Sequence, residues 1–167
     1  MGVLDGKVAV VTGGSRGLGL SIAGAFAASG AAVVVASRSP GSVDAAVQSI
    51  RAAGGQVAGT ATDVTDRAQV ESLAGFALDR FGRLDVWVNN AGIAGPYGPT
   101  LDLNPDEFTA VVQTNILGTY YGSRTAMWHF VAQGAGKLIN LLGRGYRGPL
   151  PWQNAYGSSK AWVRAFT

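Results

Sequence analysis

Tyr156 and Lys160 stand four residues apart, so on a helix their side chains share a face. A phenol titrates near ~10, and an ammonium group beside it favours the phenolate. Such a pair can give a proton to a carbonyl oxygen, or take one from an alcohol, near neutral pH. The plain alternative is an exposed aromatic next to a surface lysine, common on any helix. A second constellation lies near the other end of the chain. Gly13, Gly17 and Gly19 follow the apolar run Val8, Ala9, Val10 and Val11 and lead into Ile22, Ala23, Ala25 and Phe26. That order reads as strand, glycine turn, helix. Glycines let backbone N–H groups approach a pyrophosphate, and the helix aims its positive dipole end at the anion. The spacing is G-x-x-x-G-x-G rather than the G-x-G-x-x-G of long-chain dinucleotide binders, but the physics is shared.

These groups need a scaffold, and the composition describes one. A chain of 167 residues with 47% hydrophobic content is long enough for a core, and a single domain over 1–167 is expected. There is no cysteine and one histidine, His129, so disulfides and thiolate metal sites are excluded and a metal centre is not expected. The formal net charge is +3. The basic residues form no run, with Arg144 and Arg147 the nearest pair, which argues against a nucleic-acid partner. No secretory pattern and no apolar stretch of spanning length is present. The expected setting is therefore cytoplasmic, with no membrane partner.

Apolar runs at 8–11, 31–36, 56–60, 84–88 and 137–142 read as strands. Helices are expected over 17–29, 40–53, 66–81, 104–133 and from 154 onward. Pro40 sits near the start of the second, and Gly54 and Gly55 follow it. Asp66 with Gln69 has the form of a capping box, and Asn104-Pro105-Asp106-Glu107 is a strong helix start. Residues 143–153 read as a loop. Alternating strands and helices predict an α/β fold, a doubly wound parallel sheet of Rossmann-like form with helices on both faces. Asn115 falls on the apolar face of the fourth helix, beside Phe108, Val111 and Val112, where a polar side chain needs partners. His129 and the tryptophans read as structural, with Trp152 an exception because its loop borders Tyr156.

Gly13-x-x-x-Gly17-x-Gly19, Asp63, Asn89-Asn90-Ala91-Gly92, Asn115 and Tyr156-x-x-x-Lys160 together resemble the short-chain dehydrogenases/reductases in order and spacing. The resemblance runs from about Lys7 to the end. Members of that family usually continue for further strands, another helix and a substrate loop, so by resemblance the fold is incomplete at the C-terminus. The resemblance implies a nicotinamide cofactor held by Gly13, Ser15, Arg16, Gly17, Leu18, Gly19, Arg38, Asp63, Val64, Asn90, Ala91, Gly92, Tyr156 and Lys160. It implies Tyr156 as acid/base, Lys160 as its tuner and the anchor of the nicotinamide ribose, and Asn115 as support for a water chain to the lysine. Asp63 has two open readings, a residue ahead of a helix or an acceptor for the adenine amino group. The family commonly places an acid just after the second strand for NAD. Here Ser37 and Arg38 stand there, and an arginine fork suits a 2′-phosphate, so NADP(H) is expected over NAD(H). The implied partner is a small-molecule carbonyl or alcohol. A homo-oligomer, paired through helices 105–133 and 156 onward, stays open.

One position departs from the family pattern. A serine is usual thirteen residues ahead of the tyrosine, and here that residue is Gly143. Losing one donor of this kind costs about 10²–10³ in rate. Three readings of the loop stand: Arg144 has taken over polarisation or binds an acidic substrate, activity is residual, or cofactor binds without turnover. The expected function is an NADP(H)-dependent carbonyl reductase or alcohol dehydrogenase. Its rivals are a non-catalytic nucleotide-binding protein and an inactive truncated product.

Overall fold

The computed structural model describes residues 2–167. Five parallel strands form one sheet: β1 (Val8–Thr12), β2 (Ala32–Ser37), β3 (Val57–Ala61), β4 (Val86–Asn89) and β5 (Lys137–Asn140). Their order is β3-β2-β1-β4-β5. The chain builds outward from β1 through β2 to β3, then returns to the other side of β1. The helices are α1 (Gly17–Ala28), α2 (Pro40–Ala52), α3 (Arg67–Phe81), α4 (Pro105–Val111), α5 (Gly118–Gln133) and α6 (Asn154–Phe166). No helix among the described residues is long and apolar enough to cross a membrane.

The central strands are apolar on both sides because both sides are covered. Ala9, Val11, Val33 and Val35 pack against Ala23, Ala27, Ala46 and Ile50 of α1 and α2. Val10, Val34 and Trp87 pack on the opposite side against Val70, Leu73, Ala74 and Ala77 of α3 and Ala126 and Phe130 of α5. This is the doubly wound Rossmann-like sheet that the alternation predicts.

Three expectations are corrected by the structure. Residues 104–133 are not one regular helix. Between α4 and α5, Val112–Leu117 widens into a π-helical segment. The segment is held by contacts from elsewhere in the chain: the Asn115 side chain is tied to the loop after β4 and to α6, and Gly118 lies flush against Val64, whose Cβ would be 3.2 Å from an added methyl group. The capping box at Asp66 is half formed. Asp66 Oδ1 accepts from the Ala68 and Gln69 N–H groups, but Gln69 Oε1 reaches past Asp66 to the Asp63 N–H at 2.9 Å. Strand β5 stops at Asn140 rather than 142, although the Leu141 N–H still donates to the Asn89 carbonyl. Among the tryptophans, Trp87 is fully buried, whereas Trp128 is exposed and supports no core.

Asp85 closes the end of the sheet remote from the glycine turn. Its side chain is 8% exposed, accepts a two-pronged bond from Arg83 at 2.7 and 2.6 Å, and accepts the Val8 N–H at 2.9 Å. Burial alone would raise its pKa. The Arg83 fork, the Val8 N–H and the charges of Arg83 and Lys7 outweigh burial and hold it below the ordinary carboxylate value. A depressed carboxylate stabilises the fold above its unfolded pKa, and that stabilisation is lost as pH falls through the folded value. Asp85→Asn is therefore expected to be destabilised at neutral pH. The gap to the parent should begin to narrow as pH falls towards about 4 and close only below the depressed folded value. Urea unfolding across pH measures this, and a gap that stays constant would contradict it.

Candidate active site

Strand order reverses between β1 and β4, and the carboxyl ends of these strands open the crevice where α/β sheets hold ligands. Thr12, the last residue of β1, joins the two sides. Its hydroxyl donates to the Val88 carbonyl at 3.2 Å and accepts the N–H groups of Asn90 and Ala91 at 3.1 and 3.2 Å. The Asn90 carboxamide returns the link, donating to the Thr12 and Gly13 carbonyls at 2.9 and 3.1 Å. The Asn90 side chain thus holds the glycine turn in place from below. Thr12 escaped the sequence reading, and its one signal was a hydroxyl ending an otherwise aliphatic run.

Each glycine of the turn meets a different demand. Gly13 has φ +61°, and a Cβ there would lie 2.8 Å from the Ala91 Cα. Gly19 has no room for a Cβ, which would strike the Gly13 carbonyl and the Asn90 carboxamide. Gly17, at φ +53°, faces open space with nothing within 4 Å. The Gly14 N–H donates to the Ala36 carbonyl at 3.1 Å, which fastens the turn to the end of β2. Ser15 is half-buried, and Arg16 and Leu18 are exposed. Arg38, just beyond β2, is exposed too, and neither Arg16 nor Arg38 has a carboxylate partner among the described residues. Ser37, the residue before Arg38, has its Oγ buried with no hydrogen-bond partner among the described residues.

After β3, Asp63 Oδ1 accepts from the Thr65 N–H and hydroxyl, both at 2.9 Å. Its second oxygen is left for another donor. Val64 is buried behind it, against Gly118. Ala91 and Gly92 continue from Asn90 along the crevice, and Gly92 lies beside the Asn115 carboxamide.

Asn115 is 1% exposed. Its Oδ1 accepts the Ile93 N–H at 2.9 Å, and its Nδ2 donates to the Ile93 carbonyl and to Ser159 Oγ, each at 3.0 Å. One side chain therefore ties the loop after β4 to α6, the helix that carries Tyr156 and Lys160.

Tyr156 and Lys160 do share one face of α6, beside the end of β5. Lys160 is buried, its Nζ donates to the Leu141 carbonyl at 2.9 Å and lies 5.7 Å from the centre of the Tyr156 ring. Burial pushes its pKa below the ordinary lysine value. The Tyr156 ring is half-buried, and its hydroxyl lies over Gly143. The loop from β5 to α6 crosses to the loop after β4. The Gly98 N–H donates to the Trp152 carbonyl at 2.9 Å, and Asn154 Nδ2 donates to Thr100 Oγ1 at 2.8 Å. Trp152 is 52% exposed and has φ +63°, rare for a bulky residue. Arg144 is exposed and has no carboxylate partner among the described residues.

A crevice at the switch point of a doubly wound parallel sheet, with a tyrosine and a lysine on one helix beside the end of β5, is the general class. The particular family follows from comparison: residues 7–167 match the short chain dehydrogenases, and the chain belongs to that family. An uncharacterized oxidoreductase from Methylorubrum extorquens is 36% identical over 168 residues, which is 100% of this chain and 66% of that protein. Glucose 1-dehydrogenase 2 of Bacillus subtilis is 31% identical over 98% of this chain and 64% of its own length. Among solved structures, a variant of actinorhodin polyketide ketoreductase with NADPH superimposes with a TM-score of 0.94 at 31% identity, over 100% of this chain and 64% of that one. An NAD-bound short-chain dehydrogenase/reductase from Burkholderia phymatum gives 0.94 at 33% identity, over 99% of this chain and 59% of that one. The chain thus spans about two thirds or less of the length of these relatives. The first of these two structures holds NADPH and the second NAD, so both carry a nicotinamide dinucleotide.

Proposed function

We propose that the protein is an NADP(H)-dependent oxidoreductase that interconverts a small-molecule carbonyl and its alcohol. The observation that carries this reading is the placement of Tyr156 and Lys160 beside the crevice whose other wall is the glycine turn. The residues fit a dinucleotide. Gly17 leaves open space at positive φ, Ser37 Oγ is buried without a partner, and Arg16 and Arg38 are exposed with no carboxylate partner among the described residues. Backbone N–H groups of Gly13, Ser15, Gly17, Leu18 and Gly19 would hold the pyrophosphate, with Arg16 and Arg38 on a 2′-phosphate. Asp63 and Val64 would border the adenine, and Asn90, Ala91 and Gly92 the nicotinamide ribose.

When bound, the nicotinamide supplies or accepts the hydride. The chain does the rest. The Tyr156 hydroxyl gives its proton to the carbonyl oxygen in reduction and takes it back from the alcohol in oxidation. Lys160, held by the Leu141 carbonyl, places a positive charge beside that phenol and would hold the ribose hydroxyls of a bound cofactor. Asn115 is a positioning residue: it locks Ile93 of the crevice loop and Ser159 of α6 into one frame. Gly143 favours a second reading, nucleotide binding without turnover, because the usual polarising hydroxyl is absent there.

Fluorescence titration with NADPH and NADH tests the cofactor, and reduction of a simple ketone separates the two readings. NADPH is expected to bind more tightly. Arg38→Asp should reverse the preference, losing a charge-assisted contact of about 1.5–3 kcal/mol, or about 10- to 100-fold in affinity for NADPH. Equal affinities in the parent protein would defeat the NADP(H) assignment. Tight NADPH binding with no ketone reduction would favour the second reading.

A further inference from the structure

Gly143 sits where β5 gives way to the loop, and its backbone φ lies outside the left-handed region, so nothing in its conformation calls for glycine. The space around it does. A Cβ built on Gly143 would collide with Tyr156 Oη, lie 3.1 Å from Tyr156 Cζ and lie 3.5 Å from Lys160 Cε. The tyrosine hydroxyl occupies the volume that a side chain at 143 would fill. That hydroxyl has no hydrogen-bond partner among the described residues, so packing alone sets its place. Lys160 cannot follow it, because its Nζ is held by the Leu141 carbonyl at 2.9 Å.

We infer that residue 143 positions the Tyr156 phenol by steric contact: glycine lets the hydroxyl lie back against the end of β5, and any side chain there would push it out into the crevice. This rests on the reductase reading for its functional meaning but not for its geometry. The usual account of this position concerns a donor that polarises the substrate. The geometry here adds a term that a methyl group can supply with no donor at all. A misplacement of about 1 Å at a reacting group costs about 10²-fold in rate, so the shift is large enough to matter.

The first test is a double-mutant cycle read by urea unfolding: the parent, Gly143→Ala, Tyr156→Phe, and both together. Gly143→Ala overpacks most while the hydroxyl is present, because only the 3.1 Å contact with the ring carbon remains in the Phe variant. It should lower the unfolding midpoint clearly in the parent and much less in the Tyr156→Phe background. If Gly143→Ala does not fold while the double variant does, that is the same coupling in its extreme form. Equal effects in the two backgrounds would overturn the inference. The second test compares Gly143→Ala with Gly143→Ser on ketone reduction. Both should raise kcat by a similar factor, up to about 10²-fold, with NADPH affinity unchanged. A gain for Ser alone would overturn the steric account in favour of the donor. No turnover in any variant, with the unfolding coupling intact, would defeat the reductase reading and leave the positional one standing.

Discussion

Tyr156→Phe is expected to lower kcat for ketone reduction by about 10²–10⁴-fold, the usual worth of a positioned proton donor. The change removes one oxygen that makes no hydrogen bond within the described residues, so the fold loses nothing that depends on it. It also leaves the glycine turn, Arg16 and Arg38 as they are. NADPH affinity and the unfolding midpoint should therefore stay close to those of the parent while turnover collapses. Steady-state kinetics beside a fluorescence titration makes the separation visible. Retention of kcat in Tyr156→Phe would remove the tyrosine from the chemistry.

The second large effect is on stability. Asn115→Leu leaves the Ile93 N–H, the Ile93 carbonyl and Ser159 Oγ without their partner. Ser159 Oγ still donates to the Tyr156 carbonyl at 2.7 Å, so its loss is partial, whereas the Ile93 groups lose a partner that is itself 1% exposed. Each buried group left unpaired costs about 1–3 kcal/mol, so about 3 kcal/mol in total is expected. For a chain of this size that lowers the thermal midpoint by about 6–12 °C. Ser159→Ala removes only one of the three links to Asn115 and should cost about 1 kcal/mol. Calorimetry on both variants gives the ratio, and a Leu variant no weaker than the Ala variant would show that the clamp is not what holds the loop.

Much of the sheet was legible because its strands are short, aliphatic and separated by helical spacing. Val8 to Val11 and Val33 to Val35 are runs too short to be anything but buried strands between turns. The pairing of Tyr156 with Lys160 was legible for the same local reason, a separation of one helical turn. What stayed hidden depends on contacts between distant parts of the chain. The widened turn at Val112–Leu117 is tied to a carboxamide held from two sides by Ile93 and Ser159, which lie 22 and 44 residues away in the chain. Asn115 read equally well as a satisfied core amide and as part of a proton path. Thr12 carried no reading of its own, because its hydroxyl finds its partners only when β4 lies beside β1. Gly143 was visible as an exception to a pattern, but the hydroxyl that fills its side-chain volume belongs to another element.

The stitch between Thr12 and Asn90 also bears on the order in which the protein forms. The two residues are 78 positions apart. The glycine turn emerges first, yet its floor arrives only after β2, β3 and β4 have been made and the chain has doubled back past β1. Closing so long a loop must precede the contacts that reward it, which places this joint among the slower events of folding. A nascent or half-folded chain therefore presents a glycine turn with no anion site behind it. A dinucleotide then meets only the closed sheet, and its binding free energy acts wholly on that state, about 2.7 kcal/mol at a hundred times Kd.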